Sequence, residues 1–166
     1  MKIDFMINMQ ELLDSEEFSA RDITREETRE YRLLNLVSCL TECMNIWGQF
    51  KYPHVEVESL NTGNATSKKF LESYIEGLGY VLSVCKDDEV EGENVNTNKA
   101  FTMTRQFFLL LQQVEKVREE KDGFTTRWLL DMYVGIGELA GYTLTEIEEA
   151  FSTYTIDKVA VLRNEG

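Results

Sequence analysis

The sequence predicts an all-α chain, a single-domain bundle of about six helices over residues 1–166. Three observations predict it. Apolar residues recur at three- and four-residue spacing along most of the chain, as a helix of 3.6 residues per turn requires. There is one proline, Pro53, and because proline inside a helix costs roughly 3 kcal/mol, its scarcity permits long uninterrupted helices. Capping and turn residues punctuate the apolar runs at intervals. With 43% apolar residues the chain has enough material for a proper core and is not a disordered segment, although 28% of it is charged. No internal repeat, low-complexity segment or domain linker interrupts it.

The first segment, Ile3 to about Leu13, carries Ile3, Phe5, Met6, Met9, Leu12 and Leu13 and suits an amphipathic helix. Asp14 to Thr28 is polar and reads as a loop leading into the next helix. Asp22 or Thr24 is its N-cap, with Glu26 and Glu27 in the first turn, where negative charge suits the helix dipole. The central helix runs to about Gly48, with Leu33, Val37, Leu40, Met44 and Trp47 on one face and Glu42 on the other, near Ser38, Cys39 and Ile46. Pro53 to Ser67 is a loop that holds the single histidine, His54. With no second histidine, a His-based metal site is not expected.

Thr66 or Ser67 is expected to cap the third helix. Its apolar face is Phe70, Tyr74, Leu78, Val81 and Cys85, joined by Leu71, Ile75 and Leu82, with Glu72, Ser73, Glu76 and Gly79 opposite. Both central helices therefore carry carboxylates away from their main stripe. Either those faces are wet, or they meet across a cleft. Lys86 to Asn98 is an acidic loop with Gly and Asn turn formers. A fourth helix, about Lys99 to Lys121, carries Phe101, Phe107, Phe108, Leu111 and Val114 and stops at Asp122-Gly123. The fifth, about Thr125 to Ala140, ends at Gly141, a good C′ residue. Thr143-Leu144-Thr145-Glu146 has the capping-box pattern that starts the sixth, which runs through Ala150-Phe151.

The net charge is −13, which argues against a nucleic-acid backbone or an anionic membrane surface as the main partner. Three uses of that charge stay open: solubility alone, a nucleotide held through Mg²⁺ or a local basic cluster, or a basic surface on another protein. Cys39, Cys43 and Cys85 are odd in number and lack CxxC spacing, so neither zinc nor a disulfide framework is supported. No apolar run has the length of a membrane span, and the start of the chain is too acidic for a signal peptide. A soluble, reducing compartment, the cytoplasm, is expected.

Two runs carry a family resemblance. Leu33 to Tyr52 reads LLNLVSCLTECMNIWGQFKY, and Lys69 to Ser83 reads KFLESYIEGLGYVLS. They are similar to the metal-site helices of the dimeric, all-α dUTP diphosphatases of the all-α NTP pyrophosphatase superfamily, whose patterns are LLALxxELxELANEWxxFKxW and LEExxDxLHFxLS. Gln10-Glu11-Leu12-Leu13-Asp14 resembles the QxxLD that opens the family. The resemblance implies a homodimer, a pyrimidine contact for Gln10, and substrate contacts for Asn45, Trp47 and Lys51. For Gln10 the plain alternative is an exposed helical side chain. Phage-encoded members are common, and for a phage-encoded chain the compartment would be the host cytoplasm.

In the resembled family four acids hold Mg²⁺, which polarises phosphate and activates water. They fall here on Cys39, Glu42, Ser73 and Glu76, so Glu42 and Glu76 are the retained metal ligands. Cys is a soft ligand that Mg²⁺ disfavours, and Ser brings an uncharged oxygen. Glu72 adjoins Ser73 but points about 100° around the helix. Other positions depart too: Ile46 replaces a Glu, Pro53 a Trp, and Gly79-Tyr80 a His-Phe pair. The family's C-terminal AYxxKNxxNxxR run, which grips phosphates, begins as Ala150-Phe151, but Tyr154, Thr155 and Lys158 stand where Lys and two Asn belong, and Arg163 is near the Arg position without occupying it.

The expectation is a dUTPase-like scaffold that has lost catalysis and acts as an acidic protein-binding module or regulator. The alternative is a Mg-dependent dUTP-type pyrophosphatase with a rebuilt metal site. A plain helical domain is the third reading, and it would lack the paired-helix cleft.

Overall fold

In the computed structural model, which describes residues 1–51 and 60–165, the apolar periodicity resolves into six α-helices. They are α1 (Ile3–Arg21), α2 (Arg25–Trp47), α3 (Ala65–Asp87), α4 (Met103–Glu120), α5 (Gly123–Leu139) and α6 (Leu144–Glu165). The all-α expectation holds. Outside the helices, the extended pairing among the described residues is one isolated antiparallel bridge, Lys2 with Asn94. Pro53 and His54 lie outside the described residues.

Several boundaries differ from expectation. The first helix does not stop near Leu13 but continues to Arg21, because Asp14 and Phe18 have partners on the inner side. Asp14 is 3% exposed and takes a salt bridge from Arg25, while Phe18 lies under the guanidinium groups of Arg25 and Arg32. The helix then closes on Asp22, whose φ of 54° is left-handed. Thr24, not Asp22, caps α2, in a reciprocal capping box with Glu27. Asn64, not Thr66 or Ser67, caps α3, accepting from the Ser67 amide at 2.8 Å. Met103 opens α4 after a Thr102 cap, and α6 begins with the expected Thr143–Glu146 box.

α3 sits at the centre, packed against α1, α2, α5 and α6. Its most extensive neighbour is α2, whose buried apolar residues are Leu33, Leu36, Cys39, Leu40, Cys43 and Trp47. Their alternating three- and four-residue spacing makes a straight seam along α3. The seam is turned relative to the expected stripe: Val37 and Met44 are half-buried, while Leu36, Cys39 and Cys43 take inner places. On its other side α3 meets α5 through Tyr74 and Tyr133, stacked 4.9 Å apart. Each hydroxyl donates to the other residue's carbonyl, at 3.1 and 2.6 Å. Gly77 makes room for this pair, since a Cβ there would sit 2.2 Å from the Tyr133 hydroxyl oxygen.

A buried ionic cluster ties the ends of α1, α2 and α3. Arg25, Arg29 and Arg32 share one face of α2, and they meet Asp14 of α1 and Asp87 and Asp88 at the end of α3. Arg29 also donates to the Val117 carbonyl of α4, and Thr126 of α5 donates to Asp88. Burying charge is costly unless every member is paired. Here nearly every donor is satisfied; the Arg29 Nε is the one buried guanidinium nitrogen among the described residues without a partner.

Candidate functional site

The α2–α3 seam sets the register of the side chains beside it. Ser73 Oγ donates to Glu42 Oε2 at 2.9 Å, so the two carboxylate-bearing faces meet across a cleft at this point. Cys39 is 5% exposed. Burial, and then the carboxylates of Glu76 and Glu42, push its thiol up to about 12. Cys39, Glu42, Ser73 and Glu76 are thus brought together, with both glutamates at the exposed rim. The donor set is two carboxylates, a hydroxyl and a protonated thiol, and one carboxylate already accepts that hydroxyl. Mg²⁺ requires about six hard oxygens in octahedral order. Among the described residues no group of three or more His, Cys, Asp or Glu side chains is placed to hold a metal ion. The residues present do not suit Mg²⁺.

Beside this cleft a cavity of about 370 Å³ opens between α1, α2, α3 and α6. Gln10, Glu76, Gly79, Tyr80 and Tyr154 contribute to its wall. Gln10 is 6% exposed, so the alternative of an exposed helical Gln does not hold. Its Nε2 donates to Asp14 Oδ1 at 2.8 Å, and Asp14 is held in turn by Arg25 and Ser83. A carboxylate paired with arginine accepts hydrogen bonds, so the amide nitrogen must face it. The other end of the amide, Oε1, is buried without a partner. It lies against Gly79, where a Cβ would come within 2.8 Å of it. Tyr80, half-buried, has its hydroxyl pushed up to about 12, chiefly by burial and then by Glu76.

The remaining sequence-predicted residues stand elsewhere. Trp47 is 8% exposed and packs on Phe107, ring centres 5.7 Å apart, and on Phe50 at 6.1 Å. Asn45 is exposed near the end of α2, and the Lys51 ammonium lies 5.6 Å from the Phe50 ring centre. None of the three lines the cavity. In α6, Thr155 is buried and donates to the Phe151 carbonyl, Lys158 lies over the Tyr154 ring, and Arg163 pairs with Glu16 at 2.9 Å. A wider groove of about 680 Å³ between α3 and α6 has Leu71, Glu72 and Ile75 on one wall.

Sequence reasoning missed Asp14, Gly79, Tyr80 and Tyr154 as parts of the cavity. Gln10 and Asp14 are four apart, a spacing that brings helical side chains together, and that signal was present. Nothing local marks Gly79 as the place where α1 approaches α3.

A family model described as dUTPase matches residues 2–157. The chain is all-helical over its described residues and belongs to the all-α dUTPase family. No curated protein matches the chain, and no solved structure does.

Proposed function

We propose that this chain keeps the dUTPase scaffold for binding and has lost the hydrolytic chemistry. The observation that carries the reading is the Ser73–Glu42 hydrogen bond beside a protonated Cys39. Three of the four positions that would surround a metal ion satisfy one another or are chemically unsuited to it. The formal ligand charge there is −2, from Glu42 and Glu76, where four acids would bring −4. A triphosphate adds negative charge of its own and needs a cation to offset it.

The surface supports a binding role. A net charge of −13 favours a partner with a basic face, such as a nucleic-acid-binding protein surface. Tyr31 and Leu34 of α2 and Phe108 of α4 are large apolar side chains that stay exposed, and we assign such positions to a homodimer contact of the kind the family resemblance implies. Sedimentation of the purified chain checks that part.

One observation favours the second reading, a dUTP-type pyrophosphatase with a rebuilt Mg²⁺ site. Glu76 has no ion-pair or hydrogen-bond partner among the described residues and borders the Gln10 cavity. Incubation with dUTP, dCTP and the other nucleotides, in Mg²⁺ or Mn²⁺, with pyrophosphate measured, decides between the two. No release from any nucleotide is expected. Release that disappears in both Glu42→Gln and Glu76→Gln would establish the enzyme instead.

A further inference from the structure

We propose that the groove between α3 and α6 docks a basic amphipathic helix of another protein, with apolar side chains on the groove floor and lysines or arginines against an acidic rim. The proposal rests on the reading of this chain as an acidic binding module and adds the surface and its occupant.

The groove is anchored at one end. The Tyr142 hydroxyl donates to the Leu60 and Ser67 carbonyls, at 3.0 and 3.1 Å, and Asn61 donates to the Gly141 carbonyl, so α3 and α6 start side by side. From there they run in the same direction. Tyr154, about three turns beyond Tyr142, borders the groove together with Ile75 of α3. The wall from Ser67 to Ile75 rises about 12 Å and that from Glu146 to Asp157 about 16 Å. A third helix would lie along it for about two to three turns.

The inner surface is apolar. Ile75 and Tyr142 are buried, and Leu71, Ala150 and Tyr154 are half-buried. A furrow between two helices accepts another helix by seating its side chains between theirs. An extended segment would instead need a strand edge to bond with. Among the described residues there is one isolated bridge, Lys2 with Asn94, and no strand.

Charge selects the partner. Glu72 of α3 and Glu149 and Asp157 of α6 border the groove and are exposed. None of the three has an ion-pair or hydrogen-bond partner among the described residues. Glu146 is on the rim too, but it accepts from the Thr143 amide. Among the described residues Lys68 is the one cation on the lining. Asp14, Asp87 and Asp88, by contrast, all face arginines of α2. A basic helix therefore gains ion pairs at the groove without breaking any. A second copy of the chain would bring a net charge of −13 to the same rim, whereas a basic helix complements it.

The test is fluorescence anisotropy of a labelled leucine–lysine peptide, about four helical turns long, with leucines at three- and four-residue spacing. It is titrated with the full chain at low salt and at about 0.15 M salt. Comparison peptides replace every lysine by glutamate or every leucine by serine. The leucine–lysine peptide should bind at both salt concentrations and the glutamate peptide at neither, while the serine peptide should bind roughly tenfold more weakly. Glu72→Gln with Glu149→Gln and Asp157→Asn, all at exposed positions, should weaken binding roughly tenfold, as the loss of several exposed ion pairs implies. Asp4→Asn with Glu26→Gln and Glu91→Gln removes the same charge away from the groove and should leave binding within about twofold. Ala150→Arg, which sets a long cation in the furrow, is the second groove variant and should abolish binding with its helical circular dichroism unchanged.

No binding of the leucine–lysine peptide, equal binding of the serine peptide, or equal losses in the two charge variants would overturn the proposal. So would a dimer that Ala150→Arg dissociates, since the occupant would then be a second copy. Equal losses in the charge variants remove the groove and leave the acidic binding module standing. Pyrophosphate release is a separate readout: release alongside groove-dependent peptide binding defeats the loss of hydrolysis alone.

Discussion

Ser73 donates a hydrogen bond to Glu42 across the α2–α3 cleft, Oγ to Oε2 at 2.9 Å. A single neutral donor thus occupies a carboxylate that a fully acidic site would direct at an ion. The same bond relieves repulsion, since two or more carboxylates held close without a cation disfavour one another's charge.

Restoring the acids should therefore restore metal dependence. Cys39→Glu with Ser73→Asp brings four carboxylates to the cleft. In EDTA that variant is expected to melt several degrees below the parent chain, through like-charge repulsion and a polar group at the buried position 39. Mg²⁺ or Mn²⁺ at a hundredfold excess over its dissociation constant should return about 2.7 kcal/mol. The parent chain should show no metal-dependent shift. Differential scanning calorimetry with and without metal checks both.

Asp88 receives Arg29 through both carboxylate oxygens, at 2.8 and 2.9 Å, and accepts from Thr126. Asp88→Ala removes the two-pronged acceptor of a mostly buried guanidinium that keeps Asp87 and the Val117 carbonyl, which costs about 1.5–3 kcal/mol. Urea unfolding should show a lower midpoint at an unchanged slope.

Thr24→Ala removes one half of the capping box of α2 and leaves the Glu27 amide without its acceptor. The expected loss is about 1 kcal/mol. Thr24→Ser should recover most of it, which separates the cap from any packing of the methyl group.

Alkaline pH should destabilise the fold. The Cys39 thiol rises from 9.0 to about 12 and the Tyr80 hydroxyl from 10.0 to about 12, each through burial first. The unfolded chain gives up these protons at lower pH than the folded one, so unfolding releases protons and stability falls with pH. The contribution is complete below pH 9 and disappears as the pH climbs towards 12. Melting temperatures taken from pH 8 to 11 should decline, and Tyr80→Phe should flatten the decline.

Much of the architecture was legible because it is local. Helix period and capping chemistry act within four residues, so the capping box at Thr143 and Glu146 could be read directly. What escaped was set by distant partners. The stretch Asp14 to Arg21 looked like loop because its polar residues have no local reason to turn inward; Arg25, fixed on the next helix, supplies it. The stripe of α2 was misplaced for a related reason. Cys39 and Cys43 are weak apolar signals in a row, yet the seam with α3 buries both. Of the candidate site, Ser73 and Glu42 meet across the cleft, whereas Asn45 and Lys51 stand apart from the cavity and Trp47 spends its ring on Phe107. Gly79 and Tyr80 were visible only as departures from a pattern, and the space at Gly79 gains meaning only once Gln10 lies against it.

The reciprocal bonds between Tyr74 and Tyr133 key α3 to α5 like the two bits of a lock. Neither helix can slide by a turn without breaking both. Because Tyr74 and Tyr133 are inside the bundle and Ser73 and Glu76 are nearer its rim, the frame is registered independently of the site's chemistry. Substitutions at the rim can then accumulate over generations without loosening the frame. A scaffold keyed in this way can change occupation while its shape is inherited intact.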